Sequence, residues 1–376
     1  MTGASDSGPS GAGSSDMGPS PLEERLVALI RAQGPISVAD YMADALGHPH
    51  FGYYMSGAPI GAAGDFTTAP EVSQVFGELV GAFLVQSWID MGEPSRFHLV
   101  ELGPGRGVLM ADILRAGRLR PGFRTAAEIW LVETSGRLRH EQSRRLSQMA
   151  APNFADKFAD VPPGPALIVA NEFFDCLPIR QFLRVEDGWR ERMVGVSPEG
   201  RLAFTLGPTP PPASLGLPTD DVEPGAIFEL CAAGVDLAAD IARHLALHQG
   251  RALIVDYGHL QSGLGETLQA VKRHAFWPPL ATPGQADLSA HVDFESLARA
   301  ALEAGAVAVG PVTQGRLLLA LGAVARAEKL AAGKSEAEAD AIRAGVRRLI
   351  APDAMGEIFK ALCLSSPGLA PPAGFP

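Results

Sequence analysis

Residues 97–117, FHLVELGPGRGVLMADILRAG, constrain the fold more than any other stretch of the chain. A short apolar run leads into Gly103-Pro104-Gly105-Arg106-Gly107, and apolar residues at helical spacing follow. A strand that passes through a glycine loop into a helix opens a parallel βαβ unit. Its glycines let the chain turn tightly and leave bare N–H groups at a helix N-terminus. The alternation then repeats. Residues 128–134 (EIWLVET) read as a strand and 135–149 as a helix, while 166–172 (ALIVANE) and 251–258 (RALIVDYG) read as further buried strands. Short apolar runs between helices are the mark of parallel strands covered on both faces. The expected fold class is therefore α/β, with a doubly wound, mostly parallel sheet.

Other segments interrupt this core. Residues 181–207 carry turn signals at Asp187-Gly188 and Pro198-Glu199-Gly200, which predict an antiparallel insertion, followed by a Pro-rich linker over 208–220. Before the core, helices are expected at 22–32 and at 38–46, the second capped by Ser37. A mostly buried helix is expected at 71–91. Between these lies HPHFGYYMSGAPIGAAGDFTTAP (48–70), too long and Gly-rich for a simple connection and rich in aromatics, as functional loops are. After the linker, a helix is expected over 227–248 and a helix capped by Asp293 over 293–305. Residues 307–322 read as a hairpin and 323–362 as helical. The expected organisation is a tail (1–20), a helical and aromatic extension (21–95), a core (96–180 and 225–322), an antiparallel insertion with its linker (181–224), and C-terminal helices with a tail (323–376).

Composition excludes several classes. The 31 Lys and Arg against 42 Asp and Glu give a net charge of −11, which disfavours a protein that tracks nucleic-acid phosphates. Cys176, Cys231 and Cys363 are too scattered for a zinc ribbon or a disulfide framework and suit a reducing compartment. His48 and His50 have no carboxylate to complete a metal set, so no metal is expected. No apolar run reaches the ~18 residues of a membrane span. Residues 1–20 are Gly-, Ser- and Pro-rich and lack Lys and Arg, unlike a secretory or organellar leader. A disordered tail and a cytoplasmic location are expected on that ground.

Two motifs carry chemistry. The glycine loop lacks the Lys of a phosphate-binding P-loop. Val108 stands where a dinucleotide fingerprint needs its third glycine. Glu101, two residues before Gly103-x-Gly105-x-Gly107, instead matches the nucleoside site of class I methyltransferases. That site holds S-adenosylmethionine, which has no pyrophosphate. Glu133 ends the second strand, where an acid can accept hydrogen bonds from both ribose hydroxyls, a role shared with NAD sites. The second motif is Asn171-Glu172-Phe173-Phe174-Asp175, at the end of another strand. Ligands of doubly wound sheets bind beyond these carboxyl ends, so Asn171, Glu172 and Asp175 face the same crevice as Gly105. The carboxylates could hold a substrate cation; alternatively Asn171 and Asp175 cap a helix and the two phenylalanines pack in the core. Asp65 and Glu71 flank FTTAP and serve equally as turn or site residues. Asp256-Tyr257-Gly258 ends a further strand near the crevice. No G-x-S-x-G elbow is present, which disfavours a hydrolase.

The stretches GDFTTAPEVSQVFGE, VELGPGRG, LVETS, VANEFFDCLPIRQF, VDYG, ADLSAHVDF and IAPDAMGEIFK occur in an order that resembles the MidA family of S-adenosylmethionine-dependent methyltransferases. The resemblance covers about residues 22–365. It implies a class I methyltransferase (Rossmann-like) fold and S-adenosylmethionine as cofactor. It also implies methylation of a protein arginine, as mitochondrial members do to a core subunit of respiratory complex I during assembly. By the same resemblance Gly103, Gly105 and Gly107 form the cofactor loop, Glu133 binds ribose, and Asp156 lies on the adenine side. Glu101 and Asn171 are grouped with these cofactor residues. Guanidinium is a poor nucleophile and must be held by carboxylates. Glu172 and Asp175 are the first candidates, and Asp65 and Glu71 the second. Two rivals remain at this point. One is a nicotinamide-dependent oxidoreductase, and the other is a non-catalytic assembly chaperone on a methyltransferase fold.

Overall fold

The computed structural model describes residues 18–56, 68–218 and 222–376. At its centre is an eight-stranded sheet, in which the two-residue strand Val292–Asp293 pairs with the end of β5 and seven strands run side by side: β1 (Phe97–Leu102), β2 (Ala127–Val132), β3 (Asn153–Ala155), β4 (Ala166–Asn171), β5 (Gly250–His259), β6 (Val307–Thr313) and β7 (Phe359–Ser365). Their order is β3-β2-β1-β4-β5-β7-β6. β1 to β5 run parallel to one another, and β7 is antiparallel to both β5 and β6. Chain order reverses direction between β1 and β4, the switch point where such sheets bind ligands.

Both faces of the sheet are buried, as the continuous apolar strands require. Leu99, Leu131, Leu167, Val169 and Leu253 point to one face, packed with the helices Gln74–Asp90 and Val108–Ala116. Val100, Leu102, Ile168, Ala170 and Ile254 point to the other, packed with Ala232–His248 and Phe294–Glu303. Each such side chain contributes about 1.5–3 kcal/mol by leaving water. Gly77 and Gly81 let the first two helices cross closely. A Cβ at Gly77 would stand 2.5 Å from that of Asp112, and one at Gly81 would stand 2.7 Å from that of Ala116.

A second sheet is built from Arg180–Val185, Gly188–Val196, Leu202–Leu206 and Ile227–Leu230, with Ile36–Ser37 on its edge. A three-stranded sheet of Gln269–Lys272, Ala275–Trp277 and Asp287–Ser289 follows β5. The helices Pro21–Gln33 and Val38–Gly47 pack on these two small sheets. Ser37 caps the second helix through a reciprocal bond with Asp40.

Several expectations are corrected. The 307–322 stretch is not a hairpin: β6 is followed by a helix, Gln314–Ala320, whose first turn is capped by the Thr313 hydroxyl. The segment 323–362 is helical only to Ile358, and β7 then enters the core sheet. An apolar run such as FKALCLS has no periodicity that distinguishes strand from helix. The 227–248 helix starts at Ala232, because Ile227–Leu230 joins the inserted sheet and Glu229 bonds Gln181 and Leu268 there. The 71–91 helix breaks at Ser73 into Ala69–Val72 and Gln74–Asp90. Ser20 is no part of a loose tail: it is buried, caps Pro21–Gln33 and donates to the Pro283 carbonyl.

The C-terminal end is pinned by an internal charge. Arg251, at the start of β5, is fully buried. Its guanidinium bonds Asp90, the Ser365 hydroxyl and the Ala370 carbonyl. A buried cation is tolerable when it is paired with an anion and hydrogen-bonded in this way.

Candidate active site

The tips of β1, β2, β4 and β5 open into one cavity of about 350 Å³, within the range of small-molecule sites. Gly103, Gly105, Glu133, Glu172, Asp175 and Tyr257 all line it.

At the β1 end, Gly103, Gly105 and Gly107 have φ of 59°, 50° and 74°, a left-handed turn that side chains disfavour. The Gly107 N–H closes the loop on the Pro104 carbonyl at 2.7 Å, just before the Val108–Ala116 helix. A Cβ at Gly103 would lie 2.5 Å from the Phe173 ring, so the loop and the β4 tip fit only without it. Glu133, after β2, accepts from the Ser135 N–H at 2.7 Å and from Gln142 at 3.3 Å. Gln142 also donates to the Gly105 carbonyl at 2.7 Å, so one amide ties the glycine loop to the acid. Burial raises the Glu133 carboxyl, and these donors pull it back.

At the β4 end, Glu172 itself adopts φ 52°, an uncommon conformation for a side-chain-bearing residue. Its Oε1 accepts from the Ala69 N–H at 2.8 Å and from Asn171 at 3.0 Å, joining the β4 tip to the N-terminal extension. Burial first, then Asp175, push it up to about 7. Asp175 is pushed up to about 6 by burial. Asp256, at the end of β5, is fully buried. Its Oδ2 accepts from the N–H groups of Phe173, Phe174 and Asp175 at 3.0, 2.9 and 3.3 Å. It therefore shapes the loop that carries Asp175. Burial and the neighbouring Asp175 and Glu172 push its pKa upward. Glu172, Asp175 and Asp256 form no ion pair among the described residues. Beside them, Tyr54 donates to Asp287 at 2.9 Å, and both line the cavity. The Cys176 thiol is driven well above its ordinary range by burial and surrounding acids, so it is no nucleophile.

The remaining sequence candidates fall elsewhere. Glu101 is buried beneath the loop, off the cavity lining, and burial pushes it up to about 8. Gly107 packs on Gln142. Asn171 reaches the site only through Glu172. Asp156 lines the cavity but is largely exposed and paired with Arg139 at 2.6 Å. Glu71 is half-buried, off the cavity lining, and paired with Arg106 at 3.4 Å. Asp65 lies outside the described residues. No helix starts at Asp175, so neither it nor Asn171 is a helix cap. Sequence reasoning missed Gln142, Tyr54 and Asp287, which carry no local motif. It placed Asp256 near the crevice without its role as loop anchor.

A sheet in this strand order, with a glycine loop at β1 and an acid after β2, defines the class I methyltransferases. A family model for S-adenosyl-L-methionine-dependent methyltransferases matches residues 79–312, and the chain belongs to that family. It is 37% identical to "Protein arginine methyltransferase NDUFAF7, mitochondrial" of Danio rerio, over 90% of this chain and 85% of that one. The human protein of that name is 33% identical over 92% and 83%. A crystal structure from Burkholderia thailandensis with bound S-adenosylhomocysteine covers 96% of this chain and 97% of its own. It shares a TM-score of 0.82 and 27% identity. The protein is an S-adenosylmethionine-dependent enzyme, and the nicotinamide reading falls. The expected cytoplasmic location is overturned as well: these curated relatives are mitochondrial by name. A Gly- and Ser-rich tail speaks to ordering entropy and not to cellular address.

Proposed function

We propose that this chain methylates an arginine side chain of a protein. The observation that carries the reading is the acidic end of the cavity, where Glu172 and Asp175 line the wall beside the buried Asp256 and none of the three is paired with a cation among the described residues. Like charges confined this way are unfavourable, and a cationic ligand relieves them. The named activity of the NDUFAF7 relatives supports the same substrate class. Gly103, Gly105 and Glu133 would hold the cofactor, since the loop is bare of side chains and the acid stands beside it. S-adenosylmethionine supplies an electrophilic methyl group when bound.

The chain's own residues do the rest. Glu172 and Asp175 bind the guanidinium and draw its positive charge away from the attacking nitrogen. Asp256 fixes the loop that aims Asp175. Such positioning can lower a barrier by up to about 7–11 kcal/mol. A proton leaves the nitrogen as the N–C bond forms. We assign its acceptance to Glu172, whose carboxyl burial pushes up to about 7. A core subunit of respiratory complex I is the first protein to try, on the family resemblance. The test is incubation of wild type and Glu172→Gln with lysate and methyl-labelled cofactor, read by mass spectrometry. Label on arginine, lost in the variant with cofactor binding intact, is expected. Label on another residue type, or undiminished labelling by the variant, would refute the proposal.

A further inference from the structure

One buried polar atom at the acidic end has no role in the chemistry above. Tyr257 follows Asp256 at the end of β5, and its ring packs edge-on against His291 and Phe359, at centroid distances of 5.5 and 5.6 Å. The side chain is only 8% exposed and lines the cavity. Its hydroxyl stands beside Asp175 and Ser289, close enough to interact with both, yet among the described residues it completes no hydrogen bond of good geometry. Buried hydroxyls without partners are rare in native structures, and one at a cavity wall calls for a ligand. Burial and the charges of Asp175 and Asp256 raise the phenol far above its ordinary range, so it remains a neutral hydroxyl. A neutral hydroxyl has one proton to donate and lone pairs to accept with. It can donate to Asp175 and accept a substrate N–H at the same time.

The shape of the two possible cations then matters. A guanidinium presents five N–H donors in one plane and has no acceptor. It gains from several acceptors arranged around its edge. An ammonium is a compact point charge on a flexible stem, and a carboxylate alone serves it. The cavity offers acceptors from three elements: Glu172 and Asp175 after β4, Asp287 held by Tyr54, and Tyr257 near the end of β5.

We infer that Tyr257 is a specificity-determining residue. Its hydroxyl oxygen, backed by Asp175, accepts a hydrogen bond from a guanidinium nitrogen that is not being methylated, so the site takes a planar guanidinium in preference to an ammonium. This rests on the arginine reading given above.

The test is calorimetric titration of the full chain, saturated with S-adenosylhomocysteine, with ethylguanidinium chloride and separately with n-butylammonium chloride. Wild type should favour ethylguanidinium by about tenfold, the worth of one good hydrogen bond. Tyr257→Phe should bring the two cations close to equality while S-adenosylhomocysteine affinity stays unchanged. A general loss of packing would weaken both cations together and leave their ratio intact. If Tyr257→Phe no longer takes up S-adenosylhomocysteine, Tyr257→Met replaces it, since Met removes the hydroxyl and fills the space flexibly. A variant that keeps the wild-type preference overturns the inference. So does a wild type that binds both cations equally, although the acidic cation site then stands. A wild type that binds S-adenosylhomocysteine and neither cation overturns both the inference and the arginine reading.

Discussion

The two ends of the cavity are built on opposite principles. At the β1–β2 end the wall is mostly backbone, a left-handed glycine loop, with one acid, Glu133, already engaged by Ser135 and Gln142. At the β4–β5 end, recognition comes from side chains. Glu172, Asp175 and Asp256 crowd together, and Tyr257 has an idle hydroxyl. The first end suits a nucleoside, whose hydroxyls need fixed partners. The second, on the reading proposed above, is the end that takes the substrate cation. Where an enzyme stores unfavourable charge indicates what it expects to bind.

That contrast can be broken experimentally. The largest effect is expected from Glu172→Gln, which should lower kcat by about 10²–10³ while leaving S-adenosylhomocysteine affinity intact. Single-turnover methylation and calorimetry on the same sample check both halves. Gly105→Val should do the reverse. Forcing a β-branched residue to φ 50° should weaken S-adenosylhomocysteine binding by about 100-fold or abolish it. Third, pH should pull activity and stability in opposite directions. Glu172 and Asp175 must be ionised to hold guanidinium, so kcat/KM should rise steeply from about pH 5 to about 7 and level off above. Because folding raises both pKa values, the folded state binds protons more tightly than the unfolded chain. The stability they contribute is full at acid pH, below their ordinary range, and is lost as pH rises through 6 and 7. The Tm of the ligand-free protein should fall across that window, and Glu172→Gln should flatten the fall. The smallest effect is reserved for Gln142→Ala, which cuts the tie between Gly105 and Glu133. A rise of about fivefold in the KM for S-adenosylmethionine is expected, with kcat unchanged.

What could be read in advance follows from how local each signal is. The β1 loop, β4 and β5 are contiguous apolar runs bounded by Gly or polar residues, so the parallel core was visible in sequence. β7 was not: it lies between β5 and β6 in space but four helices after β6 in the chain, and its pairing is wholly non-local. Likewise Glu172 could be nominated from its place after a strand. That its carboxylate would hold Ala69, 103 residues away, could not. Asp287 and Tyr54 meet only because the small sheet after β5 folds back towards the N-terminal extension, and no motif announces such an encounter. Glu101 shows the converse. Its spacing from the glycines pointed to the cofactor, while the structure buries it beneath the loop.

The position of β7 has a further consequence during synthesis. β5 and β6 leave the ribosome first, and the gap between them stays open until residue 359 has emerged. Until then Leu253, Val255 and their neighbours along β5 offer an unpaired apolar edge, the template on which chains aggregate. A chain stopped between residues 288 and 358 would carry every cavity residue described here and leave that edge of β5 uncovered. The last strand to be made is the one that closes the sheet on which the cavity stands.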